Sequence, residues 1–179
     1  MNLARIDLIE CARAEAAVRW ADSGALVVET GKCTGRTPGA KFIVEDELTL
    51  GAVDWKNTQP MLPRDYCEFY QEYMRHVNNT HHYTQTLYAG NDEDHQMRLT
   101  VRTSTAWQAL FANNMFVRHR STQIEPAESW CLYSFPEFSE DPKVVISFEH
   151  RVILITGTHY AGEIKKSVFT VLNFKLTDA

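Results

Sequence analysis

Apolar residues recur at helical spacing over residues 3–20, where Ile6, Ile9, Ala12, Ala16 and Trp20 predict one helix. Gly24 interrupts, and the run Ala25-Leu-Val-Val-Glu29 predicts a short buried strand. A glycine-rich turn over residues 30–39 leads into a second strand over 41–44. Pro63 opens a helix, a position where its missing N–H costs no hydrogen bond. Tyr66, Phe69, Tyr70, Tyr73 and Val77 form the apolar face of that helix and read as core packing. Residues 83–88 and 99–103 alternate like strands. Ser104 or Thr105 then caps a helix that turns Trp107, Leu110 and Phe111 inward. Three more strands are expected over 130–135, 143–148 and 151–155. A last helix starts near Gly162 and places Ile164, Val168, Val171 and Leu172 on one side. Helices mixed with strands in this way predict an α/β (α+β-like) fold, one domain over residues 1–179, with a mixed sheet flanked by helices.

Composition narrows the classes. A chain of 179 residues can bury a core without disulfide or metal staples. Eighteen Lys and Arg against 23 Asp and Glu give a net charge of -5, so no basic field invites nucleic acid. Cys11, Cys33, Cys67 and Cys131 are scattered with no C-x-x-C among them, which predicts free thiols in a reducing cytoplasm. Charges interrupt the first apolar stretch, and no run of about 18 apolar residues occurs, so neither a signal peptide nor a membrane span is expected. His81, His82 and His95 have no metal-ligand spacing and read as surface histidines.

Two segments carry candidate chemistry. The first is Glu29-Thr-Gly-Lys-Cys-Thr-Gly-Arg-Thr-Pro-Gly-Ala-Lys41, which follows a predicted strand. Its glycines can expose backbone N–H groups, and Lys32, Arg36 and Lys41 add positive charge. Such a loop suits a carboxylate or phosphate, and Arg36 can grip one with two hydrogen bonds. A turn with solvated charges is the plainer reading of the same residues. The second segment is Ile155-Thr-Gly-Thr-His-Tyr-Ala-Gly-Glu-Ile-Lys-Lys-Ser167. Lys165 and Lys166 fall in the first turn of the predicted helix, where the helix dipole disfavours cations. If partly buried, desolvation and like charge favour a neutral amine, which can ligate a metal. Alternatively the pair and the helix end form an anion site, or the lysines are simply solvated beside Glu163.

Taken together, Gly24-Ala-Leu-Val-Val-Glu-Thr-Gly-Lys-Cys-Thr-Gly-Arg-Thr-Pro38 and Thr156-Gly-Thr-His-Tyr-Ala-Gly-Glu-Ile-Lys-Lys-Ser-Val-Phe-Thr-Val-Leu-Asn-Phe174 resemble two signatures of ATP-dependent phosphoenolpyruvate carboxykinases. Tyr88-Ala-Gly-Asn-Asp92 and Ala106-Trp-Gln-Ala-Leu-Phe-Ala-Asn-Asn-Met-Phe-Val-Arg118 match between them, in the same order. The resemblance covers nearly the whole chain and implies the family's N-terminal, substrate-binding domain. That family decarboxylates oxaloacetate and phosphorylates the enolate with ATP, giving phosphoenolpyruvate and carbon dioxide. The resemblance implies that Arg36 grips a substrate carboxylate or nascent carbon dioxide and that Tyr160 sits beside the substrate. It implies that Lys166, as a neutral amine, ligates Mn2+ or Mg2+, and that Lys165 neutralises charge near the transferring phosphoryl group.

Departures from the family pattern are Thr37 for a serine, Ala40 and Thr86 for aspartates, and Ser104 or Thr105 for an acidic residue. No G-x-x-x-x-G-K-[ST] occurs, so the ATP site and the rest of the metal shell are expected in further chain. The partners expected are oxaloacetate or phosphoenolpyruvate, a C-terminal ATP-binding domain, or a second copy of the chain. The other function to weigh is a stand-alone carboxylate-binding or scaffold module without catalysis. The 179 residues alone are expected to form no phosphoenolpyruvate from oxaloacetate and ATP; formation by the pure chain in a coupled assay overturns this.

Overall fold

The computed structural model describes residues 2–35, 37–90, 92, 95–119, 126 and 128–177. Its centre is a seven-stranded mixed sheet in the order β4-β3-β8-β9-β7-β6-β5. The strands are β3 (Lys41–Val44), β4 (Gln59–Met61), β5 (Tyr83–Ala89), β6 (Met97–Thr103), β7 (Glu128–Ser134), β8 (Lys143–Ser147) and β9 (Val152–Thr156). β4, β3 and β8 run parallel, as do β9, β7 and β6; the β8–β9 and β6–β5 pairs are antiparallel.

The runs Val144-Val-Ile146 and Val152-Ile-Leu-Ile155 show no polar alternation because both faces of the sheet are covered. Helix α2 (Pro63–Asn79) covers one face, where Tyr66, Tyr73 and Val77 meet Val145, Leu154, Tyr133 and Phe135. Helices α3 (Ala106–Met115) and α4 (Gly162–Thr177) cover the other, where Ala112, Ile164, Val168 and Val171 meet Val144, Ile146, Ile153 and Ile155. Tyr73 has no exposed surface, and its phenol needs partners there. Its Oη lies 2.7 Å from the Ile155 carbonyl, to which it donates, and accepts from the Phe135 N–H at 3.2 Å. Burial pushes that phenol well above its ordinary value of 10.0.

The N-terminal region departs from the single helix expected over residues 3–20. Helix α1 is Arg5–Arg13, and the chain then turns into β1 (Val18–Trp20), which pairs antiparallel with β2 (Leu26–Val28) in a separate small sheet. Leu8 and Ala12 already fill the contact of α1 with α3, beside Ala109 and Ala106, so a longer helix has no further core to cover. β2 is not the buried strand expected; Val27 is 43% exposed. The predicted cap of α3 also differs. Thr105 occupies the N-cap position without a side-chain bond. Instead, Glu15, which follows α1, accepts from the N–H groups of Ala106 at 2.5 Å and Trp107 at 3.2 Å. A carboxylate at this helix end is favoured by the dipole. Burial raises the Glu15 carboxyl above its ordinary 4.5, and the two N–H bonds offset this only in part. β4 was not signalled by the sequence, because it contains Pro60 and a proline lacks the donor a strand uses. It is tolerated there because β4 is the sheet edge, with Pro60 opposite Ile43.

Far along α4, Lys175 Nζ lies 2.8 Å from Glu128 Oε2, to which Trp130 Nε1 also donates at 3.2 Å. Burial pushes the Glu128 carboxyl up, but the bonds from Lys175 and Trp130 outweigh it and hold the group below its ordinary 4.5. A carboxyl depressed on folding stabilises the fold above its unfolded value, and that contribution is lost as pH falls through the folded value. Urea midpoints of Lys175→Met are therefore expected to fall less steeply than wild type below pH 4.5; parallel profiles contradict the assignment. Glu15→Ala removes both acceptors of the α3 cap and is expected to cost about 1 kcal/mol in urea unfolding. Glu15→Gln keeps an acceptor and is expected to recover most of that loss.

Candidate functional site

Strand β9 ends at Thr156, and the chain reaches α4 through a turn that contains two closely packed glycines. Gly157 has φ +68, and a Cβ there meets the Asp141 carbonyl oxygen at 2.1 Å. A Cβ on Gly162 meets the Tyr160 ring at 2.3 Å, so that ring lies directly on the glycine backbone. Inside the turn, the Tyr160 N–H donates to Thr158 Oγ1 at 3.1 Å. Gly157 and Gly162 have the spacing of a phosphate loop, but Glu163 stands where such a loop carries lysine.

Glu163 joins the two candidate segments. It is 3% exposed, and its Oε1 accepts from the backbone N–H of Thr37 at 3.1 Å. The glycine-rich loop is thereby tied to the first turn of α4, across 126 positions of sequence. A second tie lies beside it: Lys41 Nζ donates to Thr170 Oγ1 at 2.9 Å, and that hydroxyl donates to the Lys166 carbonyl at 2.9 Å. Lys41, counted above among the anion-gripping cations of the loop, instead fastens β3 to α4. Arg36 lies outside the described residues; its neighbours Gly35 and Thr37 are described. Tyr160 and Lys166 are half-buried, Lys165 is exposed, and both lysines lie on α4.

The loop and the turn face each other across a groove of about 540 Å³, lined on one side by Thr30, Gly31, Lys32 and Cys33 and on the other by residues of 136–142, Gly157 and His159. Among the described residues, Thr37 Oγ1, Thr156 Oγ1 and Ser167 Oγ are buried without a hydrogen-bond partner. Lys32 lines this groove together with Glu137, Glu140 and Asp141, whereas Tyr160, Lys165 and Lys166 do not line it; Lys165 lines a separate groove beside Met115 and Phe169. Among the described residues no group of three or more His, Cys, Asp or Glu side chains could hold a metal ion. Lys166 offers one nitrogen, which by itself does not make a manganese or magnesium site.

A family model described as phosphoenolpyruvate carboxykinase matches residues 1–179. The chain belongs to the ATP-dependent phosphoenolpyruvate carboxykinase family. It is similar to the phosphoenolpyruvate carboxykinases (ATP) of Nitrobacter winogradskyi, 37% identical over 87% of this chain and 31% of the relative, and of Chelativorans sp., 35% identical over 98% and 34%. The Staphylococcus aureus protein of that name is 39% identical over 86% of this chain and 31% of its own length. The chain thus spans about a third of the length of the curated relatives it matches.

In this chain Glu163 is the residue that sequence reasoning undervalued, as no more than a neighbour of the two lysines. Its signal was an acidic residue in the first turn of a helix, a position the dipole favours. Glu163→Ala leaves the Thr37 N–H without its acceptor and is expected to cost about 1–3 kcal/mol in urea. Amide exchange at Thr37 is expected to quicken more than at Leu154 in the core; equal change at both contradicts a local tie.

Proposed function

We propose that this chain is the substrate-binding part of an ATP-dependent phosphoenolpyruvate carboxykinase, the reaction that converts oxaloacetate and ATP to phosphoenolpyruvate, carbon dioxide and ADP. The observation that carries this reading is the Glu163–Thr37 hydrogen bond, which holds the arginine-bearing loop against the lysine-bearing helix. Family membership supplies the reaction class, and the ties between the two segments supply a reason for both to be present together.

In this reading Arg36 grips a carboxylate of oxaloacetate, and its planar fork fixes the orientation of the bond to be broken. Tyr160, packed on Gly162, forms a rigid wall beside the substrate. As the carbon–carbon bond breaks, negative charge moves onto the enolate oxygen, and fixed cations stabilise charge where it develops. Lys165 supplies that charge toward the phosphoryl group being transferred. The Lys166 nitrogen would hold Mn2+ or Mg2+ together with ligands from further family chain. The nucleotide is held by further family chain, since these 179 residues contain no phosphate loop.

Calorimetry separates this reading from a fold that has lost its site. Phosphoenolpyruvate titrated into the chain is expected to bind, and Arg36→Ala to weaken it about tenfold to a hundredfold, the worth of a charge-assisted pair. Equal heats for the two proteins, or none in either, overturn the carboxylate assignment.

A further inference from the structure

A groove of about 340 Å³ opens at the β5 edge of the sheet. None of its lining residues lines the groove between the glycine-rich loop and the turn. One wall is the segment that leads into α1, residues 2–5. The Asn2 side chain laces that segment to the sheet edge. Its Nδ2 donates to the Thr86 carbonyl at 3.0 Å, and its Oδ1 accepts from the Thr86 N–H at 2.6 Å. The floor is buried and includes Gln85 and Leu87 of β5 and Asn113 of α3, which is 7% exposed. The rim is exposed and carries Arg5, Arg118 and His119. Among the described lining residues none is acidic; Asp7, in the first turn of α1, is not one of them. Helix α1 begins at this wall, and its N-cap, Ala4, has no side-chain bond to answer the first N–H groups of the helix.

Neighbours fix the orientation of the Asn113 amide. Gln85 Nε2 donates to the Thr84 carbonyl at 3.1 Å and the Leu3 carbonyl at 3.4 Å, which leaves the Gln85 oxygen for α3. Asn113 Nδ2 donates to that oxygen at 2.9 Å. Asn113 Oδ1 is then the atom left over, a buried acceptor with no hydrogen-bond partner. Such an acceptor costs stability until a donor meets it. We propose that this groove binds a small phosphate monoester that carries a hydroxyl group. The open end of α1 and the guanidinium groups of Arg5 and Arg118 suit the phosphate. The hydroxyl supplies the O–H that Asn113 Oδ1 lacks. The rim repels an organic cation, and an anion without a donor leaves Asn113 unmet. Tyr160, Lys165 and Lys166 are not among the lining residues, so this site stands apart from the proposed function.

Glycerol 3-phosphate and propyl phosphate test the site as a matched pair, since the second lacks the hydroxyls of the first. Amide NMR of the chain reads each titration at Leu87 on the floor and at Thr37 in the candidate site. Glycerol 3-phosphate is expected to shift Leu87 to saturation. Propyl phosphate is expected to bind roughly tenfold more weakly, the loss of one hydrogen bond to a buried acceptor. Arg118→Ala is expected to weaken both esters roughly tenfold. Asn113→Leu is expected to erase the difference between the two esters. Equal affinities in wild type, no saturable shift at Leu87, or unchanged affinity in Arg118→Ala overturns the proposal. Sulfate binding as tightly as glycerol 3-phosphate also overturns it, because the rim is then an unspecific anion patch. A shift at Thr37 alone assigns the ester to the candidate site and overturns it too. If Asn113→Leu does not fold, the ester pair measured in wild type and in Arg118→Ala decides in its place.

Discussion

Strands β8 and β9 have no solvated face, and the positions of the other elements follow from covering both of their sides. Burying a valine or isoleucine side chain contributes about 1.5–3 kcal/mol. The faces differ in what covers them: aromatic α2 on one, aliphatic α3 and α4 on the other. Because β9 feeds α4 directly, the turn between them must climb from the middle of the sheet to one face within five residues, 157–161. Gly157, with its positive φ and its contact with Asp141, makes that climb possible. The same turn delivers Glu163 beneath the glycine-rich loop, so the candidate site is a consequence of how the core is layered.

Apolar burial seats α4 on the sheet, and a few specific bonds tie the glycine-rich loop to it. Glu163 to Thr37 and Lys41 to Thr170 are single hydrogen bonds between segments more than a hundred residues apart. Net contributions of such bonds are about 1 kcal/mol, but a buried carboxylate or N–H left unpaired costs more. The arrangement is therefore kept by the penalty for breaking it. The same logic governs Glu15, whose carboxylate is retained half-buried because it answers the N–H groups that open α3.

The strands of the central sheet and helices α2, α3 and α4 were legible because their apolar residues recur with a clear period or in doubly buried runs. Tyr66, Tyr73 and Val77 on α2 and Ile164, Val168 and Val171 on α4 face the core as their spacing predicts. What escaped sequence reading depends on distant partners. Residues 14–20 continue the helical spacing but leave the helix, and Val18–Trp20 pair with β2 instead. The cap of α3 comes from Glu15, 91 positions away, which no local pattern encodes. Lys41 looked like part of an anion-binding loop until Thr170 was placed beside it. Glu163 figured only as a neighbour of the lysines until Thr37 was placed beside it. The motif segments themselves were visible as odd chemistry, two adjacent lysines opening a helix and three cations in a glycine-rich loop.

Family membership and geometry meet in one pair of segments, a loop and a helix tied together by Glu163 with Thr37 and by Lys41 with Thr170. Under the proposed function this pair supplies a chemically competent half of the site. The most direct measurement is ATP-dependent formation of phosphoenolpyruvate from oxaloacetate by this chain joined to the remaining two-thirds of the Staphylococcus aureus relative. The account predicts turnover by the fusion and a loss of about a hundredfold or more in Lys165→Ala, the scale of removing a fixed group that stabilises transition-state charge. A folded fusion that does not turn over, or a Lys165→Ala fusion as fast as its parent, would contradict it.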